Sequence, residues 1–352
     1  MERLDLRGLT EEEIADVCRE LGVPRFRASQ LFGWVQAKAA AAWEEMRNIG
    51  KADRAVLQTR LFLKALELRR EQRSADGTRK YLFRLADGET IECVLMDYDR
   101  IAARDRRTIC LSTQVGCPVG CSFCATGQGG LRRNLSPAEI VGQVLDVTRL
   151  LRREEPDFRV TNLVFMGMGE PLLNYASVLK AVRILNSQHG QNIGMRRMTI
   201  STSGVVPRIR DLARDNPQIG LAVSLHAATD EARDVLVPMN RRYPLRELLP
   251  ACRAYAEVTH RRVTFEVALI NGQCSREMAE AMADLLAGQL AHVNLIPVNP
   301  VGGTGMERPS PGEVREFAEV LARAGISVSI REERGVDIDA ACGQLRRREE
   351  EY

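Results

Sequence analysis

Three cysteines, Cys117, Cys121 and Cys124, stand close together in the run Gly116-Cys117-Pro118-Val119-Gly120-Cys121-Ser122-Phe123-Cys124. The spacing is C-x3-C-x2-C, and a further cysteine, Cys110, lies seven residues upstream of Cys117. Thiolates this close, with glycine and proline between them, can wrap one metal centre. A closed structural zinc site wants four ligands. A four-iron cluster held by three cysteines keeps one iron open for a further ligand, which is a catalytic arrangement. Two other readings stay open on the residues alone: a zinc knuckle with its fourth ligand elsewhere, and ordinary buried cysteines.

A second group of candidates follows the second expected strand, at 162–167. Gly167-Met168-Gly169-Glu170-Pro171 combines glycines that allow a ligand close to the backbone with a carboxylate that can accept from an ammonium group. By itself such a turn is equally a tight strand–helix connection.

These residues need a scaffold. From residue 105 the chain alternates short apolar stretches with helical periodicity. Strands are expected at 108–112, 162–167, 198–203, 221–226, 263–270, 293–298 and 327–330. Two intervening helices have strong starts, Ser136-Pro137-Ala138-Glu139 and Ser310-Pro311-Gly312-Glu313. Each has a capping serine, proline at the first helical position and glutamate three residues after the cap. Six or so such units predict an α/β fold with a parallel sheet, open or closed into a barrel. Ligands then gather at the C-terminal ends of the strands, where the cysteine triplet falls.

The first 95 or so residues differ. Thr10-Glu11-Glu12-Glu13 is a capping box, Ile14, Val17, Cys18 and Leu21 follow at helical spacing, and Gly22 ends that helix. Pro24 opens a second helix with Leu31, Phe32 and Val35 on its apolar face, and a third is expected from Ala52 to Leu63. Asp76-Gly77 and Asp87-Gly88 then mark turns between short alternating strands. The organisation expected is a helical accessory domain with strands at 1–95, a core at 96–335 and a tail at 336–352. The weak periodicity of the tail predicts a mobile segment.

Composition narrows the class. Hydrophobic content of 45 % supports a full core, and no apolar run approaches the ~18 residues of a membrane span. The polar start MERLDLRGLTEEE is unlike a secretory signal, and nine unevenly spread cysteines are unlike a secreted disulfide framework, so a cytoplasmic protein without membrane contact is expected. Net charge is only +3, yet arginines pair repeatedly, as at Arg106-Arg107, Arg196-Arg197 and Arg346-Arg347-Arg348. Such pairs are equally solvated surface residues or phosphate contacts.

Taken together, the motifs resemble a known family. The cysteine triplet is similar to the radical S-adenosylmethionine (radical SAM) motif, and the Gly-Met-Gly-Glu-Pro turn to that superfamily's motif for the SAM amino group. TICLSTQVGCPVGCSFCATGQGGLRRNLSPAEI, NLVFMGMGEPLLN, MTISTSGVVP, VSLHA, NLIPVNP and RGVDIDAACGQL, with LRGLTEEEI and PRFRASQLFGWV near the start, resemble the RlmN-type dual-specificity RNA methyltransferases over essentially the whole chain. The resemblance implies a radical SAM partial (β/α)6 barrel with a small N-terminal helical domain and connecting strands. It implies a [4Fe-4S] cluster on Cys117, Cys121 and Cys124, and two SAM molecules per turnover, one of them cleaved to a 5′-deoxyadenosyl radical.

The product implied is an adenosine methylated at C2, in 23S ribosomal RNA and in tRNA beside the anticodon. Cys342 matches the methyl carrier. Cys110 matches the thiol that resolves the protein–RNA adduct through a transient disulfide with Cys342, and Glu92 the proton acceptor. SAM contacts carried over are Gly169, Glu170, Ser201, Ser224, Leu225, His226 and Asn299. Partners implied are these RNAs and a reducing donor such as flavodoxin or ferredoxin; no dimer seam is evident, so a monomer is expected. The related enzyme Cfr, which modifies C8 of the same ribosomal adenosine, shares the cluster, the two cysteines and the tail. The N-terminal stretch sides with the C2 enzyme. The rival outside enzymology is a zinc-bearing RNA-binding module. Cys18, Cys93, Cys252 and Cys274 receive no role.

Overall fold

The computed structural model describes residues 3–98, 106–299, 301, 304–332 and 334–345, so Arg346-Arg347-Arg348 lies outside the described residues. A ten-stranded sheet dominates. Its parallel part runs, in both chain and spatial order, through Arg106–Cys110, Asn162–Phe165, Met198–Thr202, Gly220–Ser224, Val263–Leu269, Ala291–Pro297 and Ser327–Ile330. These are the strands expected from the alternation, shifted by a residue or two. Helices Pro137–Leu151, Tyr175–Asn186, Val206–Asp215, Leu245–Thr259, Arg276–Leu286 and Pro311–Arg323 fall between successive strands. The expected capping boxes at Ser136 and Ser310 both form, each with proline in the first turn. Val263–Leu269 is buried on both faces almost throughout, which is why it reads as a continuous apolar run.

The strand order is linear, so the barrel is partial. One edge is Ser327–Ile330. At the other, Thr90–Tyr98 pairs antiparallel with Arg106–Cys110, and Arg79–Arg84 and Glu67–Arg73 continue the sheet outward. The turns at Gly77 (φ 84°) and Gly88 (φ 90°) supply the positive φ that their hairpins need. Thr90–Tyr98 therefore runs through the boundary expected at 95/96, and the accessory strands belong to the barrel's own sheet.

In the N-terminal region, the capping box of Thr10 and Glu13 starts helix Glu11–Glu20. Its buried Ile14, Val17 and Cys18 join the same core as the barrel. The helix expected to reach Leu63 stops at Leu57. Leu61–Phe62 instead forms a short parallel pairing with Leu4–Asp5. The described part of the expected mobile tail, residues 336–345, is packed together with Arg334 and Gly335: Ile338, Ala340, Ala341 and Leu345 are buried. Hydrogen bonds to distant strands hold them, among them Gly335 N–H to Asp76 Oδ2 at 2.8 Å and an Arg334 guanidinium N–H to the Asp97 carbonyl at 3.2 Å. Those partners are remote in sequence, so no local periodicity signals them. Among the described residues no helix is long and apolar enough to cross a membrane.

Candidate active site at the barrel mouth

The first parallel strand delivers the chain to a small antiparallel ladder, Gln114–Gly116 with Leu131–Asn134. The ladder pins the base of the cysteine loop, and Cys117 N–H donates to the Gly130 carbonyl at 3.0 Å. Gly116 has φ 77°, and a Cβ there would sit 1.8 Å from the Gly130 oxygen, so only glycine fits. Across the loop, Ser122 N–H donates to the Leu236 carbonyl at 3.2 Å, and Val119 packs with Ala227, Leu236, Val237, Ile270 and Val298.

Cys117, Cys121 and Cys124 are free, half-buried thiols bordering one cavity. Burial pushes the Cys117 thiol up to about 12 and the Cys121 thiol well above the ordinary range. Metal binding would replace those protons. Among the described residues, no three His, Cys, Asp or Glu side chains converge closely enough to hold a single ion. Three thiols spread around a cavity suit a multi-atom cluster better than one zinc ion.

The same cavity is bordered by the C-terminal ends of strand after strand: Phe165 and Met166, Ser201 to Ser203, Ser224 and His226, Glu266 and Ala268, Ile296, Asn299, and Arg331. A flat sheet could not bring these ends together, so the sheet curls around the site. Gly169 has φ 106°, and its absent Cβ would fall 2.6 Å from Cβ of Gln114. Gln114 Oε1 accepts from Glu170 N–H at 2.8 Å, tying the glycine turn to the ladder below the cysteines. Glu170 is buried. Its Oε2 accepts from Ser203 N–H at 2.7 Å and Ser203 O–H at 2.8 Å, and its Oε1 from Leu172 N–H at 3.0 Å. Burial raises the Glu170 carboxyl despite these donors.

His226, at φ 60°, accepts Ala268 N–H on Nδ1 at 2.9 Å and stands edge-on to Phe123 at 4.6 Å. Burial pushes it down to about 3, so the ring is neutral with its proton on Nε2. Ser201, Ser224 and Asn299 also border the cavity. The Leu225 side chain is fully buried in the core instead. Only its backbone takes part, donating to the Glu266 carbonyl at 3.0 Å.

Cys110 and Cys342 border a second cavity together with Val94, Met96, Tyr98 and Arg334. Cys124, Met166, Gly167, Asn299, Arg331, Cys342 and Gly343 line both cavities, so the two adjoin. Burial pushes the Cys110 thiol up to about 12, and the nearby Cys342 adds to the effect. Burial also raises the Cys342 thiol, opposed by the Arg331 guanidinium. Asn299 Nδ2 donates to the Cys342 carbonyl at 3.5 Å. Glu92 lies elsewhere. It is buried, its carboxylate is 3.3 Å from Lys80 Nζ, and it borders neither cavity, although Val94, two residues along the strand, does.

Several site residues were not singled out in the sequence. Arg331 follows the last strand directly, so it meets the same strand-end condition as Asn299, which the resemblance supplied. Glu266 is a charge inside an otherwise apolar strand, and it accepts from Asn294 Nδ2 at 2.8 Å. Arg233 carries no such signal. Fully buried, it donates to the carbonyls of Ser203 (2.7 Å), Ser224 (3.0 Å) and Leu225 (3.1 Å), fastening two strand ends at the mouth.

A partial barrel whose first strand leads into a C-x3-C-x2-C loop, with a glycine–glutamate turn after the second, defines a radical SAM enzyme. The family model described as Radical SAM superfamily matches residues 111–285. A second, the ribosomal RNA large subunit methyltransferase N-terminal domain, matches residues 4–63. A probable dual-specificity RNA methyltransferase RlmN of Desulfitobacterium hafniense (strain DSM 10664 / DCB-2) is 66 % identical over 347 residues, 99 % of this chain and 97 % of its own. The dual-specificity RNA methyltransferase RlmN of Anaeromyxobacter dehalogenans (strain 2CP-C) is 47 % identical over 345 residues, 97 % of this chain and 91 % of its own. The crystal structure of a radical SAM methyltransferase from Sphaerobacter thermophilus superposes with a TM-score of 0.92 at 50 % identity, covering 97 % of this chain and 99 % of that one. The chain belongs to the RlmN family of dual-specificity RNA methyltransferases. The family implies a [4Fe-4S] cluster and SAM.

Proposed function

We propose that this chain methylates C2 of an adenosine in 23S ribosomal RNA, at the peptidyl transferase centre, and in tRNA beside the anticodon, through a methylated Cys342. The family supplies the substrate class. The observation that carries the reading is that Cys110 and Cys342, 232 positions apart in sequence, border one cavity that adjoins that of the cysteine triplet and shares Cys124 and Cys342 with it. Cys117, Cys121 and Cys124 would hold the cluster. Gly169, Glu170, Ser201, Ser224, His226 and Asn299 would surround SAM, with Leu225 contributing its backbone. When bound, cluster and SAM supply a transferable methyl group and a one-electron route to a carbon radical.

C2 of adenine is not a nucleophile, so direct displacement fails and a carrier is needed. Cys342, as thiolate, would accept a methyl group on sulfur from a first SAM, S-adenosylhomocysteine leaving, and that methyl group would then lose one hydrogen atom to the radical chemistry that a second SAM supplies. The resulting methylene bonds to C2. Glu92 would accept the C2 proton as the adduct loses one electron, for which the cluster held by Cys117, Cys121 and Cys124 would be the acceptor. Cys110, as thiolate, then attacks the Cys342 sulfur. The S–S bond forms, the S–CH2 bond breaks, and the electron pair passes to the methylene carbon, which takes a proton and becomes the methyl group. An external thiol reductant restores both cysteines.

Adenine C2 lies on the minor-groove edge, so the RNA must enter unstacked or with the base flipped out. Residues 1–95, with their arginine-bearing strands, are the proposed RNA-holding element. The electrons come from a donor such as flavodoxin or ferredoxin, and the enzyme works as a cytoplasmic monomer. Anaerobic reconstitution with labelled SAM and unmodified RNA, followed by nuclease digestion and mass spectrometry, tests the reading. Label at C2 is expected. Label at C8 would make the activity Cfr-like, and a colourless zinc protein that cleaves no SAM would overturn the enzyme.

A further inference from the structure

Lys80, on strand Arg79–Arg84, is 1 % exposed. Its ammonium group reaches two segments that are distant in sequence, among its contacts. Nζ lies 3.3 Å from Glu92 Oε1. It also donates to the backbone carbonyl of Asp339 at 3.1 Å. Asp339 stands three residues before Cys342 and holds a left-handed backbone, φ 51°, which aspartate adopts more readily than most residues with a Cβ.

The rest of the tail is seated on the same accessory strands. Ala75 N–H donates to Asp337 Oδ2 at 3.3 Å, and Gly335 N–H to Asp76 Oδ2 at 2.8 Å. Lys80 is the member of this seat that also reaches Glu92. From the other side, Ser112 O–H donates to the Glu92 carbonyl at 2.5 Å, and Met168 N–H donates to Ser112 Oγ at 2.9 Å. The strand that carries Glu92 is thereby tied to the glycine turn at the mouth. Replacing a buried ion pair by an apolar pair of similar volume is often neutral or stabilising, so the Lys80–Glu92 pair is not accounted for by stability alone.

We propose that Lys80 is a positioning residue that holds the Glu92 carboxylate and the Asp339 turn in one frame, fixing the proposed proton acceptor, two residues from the cavity-lining Val94, relative to the methyl carrier. The proposal rests on the reading of Cys342 and Glu92 given above. It makes the accessory strands part of the catalytic apparatus as well as an RNA-holding surface.

The two halves of the reaction separate the roles. Charging of Cys342 by labelled SAM, without RNA, needs no proton acceptor. Passage of that label to RNA in a single turnover needs both Glu92 and Cys342. In the full-length cluster-loaded enzyme, Lys80→Met is expected to charge Cys342 nearly as wild type does and to slow transfer to RNA at least about tenfold, label remaining on protein or in a protein–RNA adduct. Lys80→Arg, which keeps the cation, should recover most of the transfer rate. Lys80→Met combined with Glu92→Gln should be no slower than Glu92→Gln alone, because the two residues act as one unit.

Wild-type transfer by Lys80→Met, an equal loss in both halves, or a double variant as slow as the product of the singles would each overturn the proposal. Should Lys80→Met fail to fold, the double variant, which buries no lone charge, decides: parity with Glu92→Gln supports the proposal, and a further drop overturns it. Wild-type enzyme that places no label on Cys342 would overturn the underlying reading and the proposal together. Wild-type labelling with unchanged transfer by Lys80→Met overturns the proposal alone.

Discussion

Ala125, the residue after the last cysteine of the triplet, donates its backbone N–H to the carbonyl of Gly343, the residue after Cys342, at 2.7 Å. The Thr126 hydroxyl extends the contact by donating to the Leu345 carbonyl. The segment proposed to carry the methyl group is thus clamped to the segment proposed to hold the cluster.

The clamp requires a glycine. Gly343 has φ 82°, and a Cβ on it would lie 3.2 Å from the Phe123 carbonyl oxygen. Gly343→Ala therefore forces a strained backbone, worth ~1–2 kcal/mol, or moves Cys342. Iron content should stay at the wild-type level while methylation of RNA falls about tenfold, the change that ~1.4 kcal/mol produces. Parallel iron analysis and single-turnover assays check this; unchanged methylation would show that the clamp is dispensable.

Glu170 anchors the glycine turn through three donors, from Leu172 and Ser203. Glu170→Ala strands those buried donors and should cost ~2–4 kcal/mol of folding stability. Glu170→Gln keeps an acceptor oxygen and should cost less. Denaturant unfolding of the cluster-free protein measures both, and an alanine variant as stable as wild type would contradict the anchoring role.

Asp146 joins the N-terminal segment to helix Pro137–Leu151. It pairs with Arg7 at 3.3 Å and accepts Leu66 N–H at 2.8 Å. Burial, opposed by Arg7, pushes its carboxyl from 3.8 up to about 6. The folded state then holds the proton more tightly than the unfolded chain. This contribution to stability is fully present below about pH 3.8 and is lost as pH rises through about 6. Asp146→Asn should remove that part of the pH dependence, up to ~3 kcal/mol between pH 4 and 7. Unfolding curves across that range test it, and an unchanged pH slope in the variant would contradict it.

The parallel strands, the capping boxes at Thr10, Ser136 and Ser310, and the cysteine triplet were all legible because each is encoded within a few residues. The packing of the tail was not. Its partners Asp76, Thr126 and Lys80 come from distant segments, and Gly335 and Gly343 contribute by backbone geometry rather than by hydrophobic pattern. The buried charges were also hidden. Lys80, Arg107 and Arg233 read as surface residues by type, and only the fold brings them to Glu92, Glu155 and the strand-end carbonyls. Of the arginines counted as an RNA signal, Arg107 is in this way structural.

The role of Cys342 as methyl carrier is tested most directly by Cys342→Ala. The purified variant, loaded with its cluster and given labelled SAM and unmodified RNA, should retain wild-type iron content. It should carry no protein-bound methyl label and yield no methylated RNA, whereas wild type shows both. Full methylation of RNA by Cys342→Ala would contradict the account.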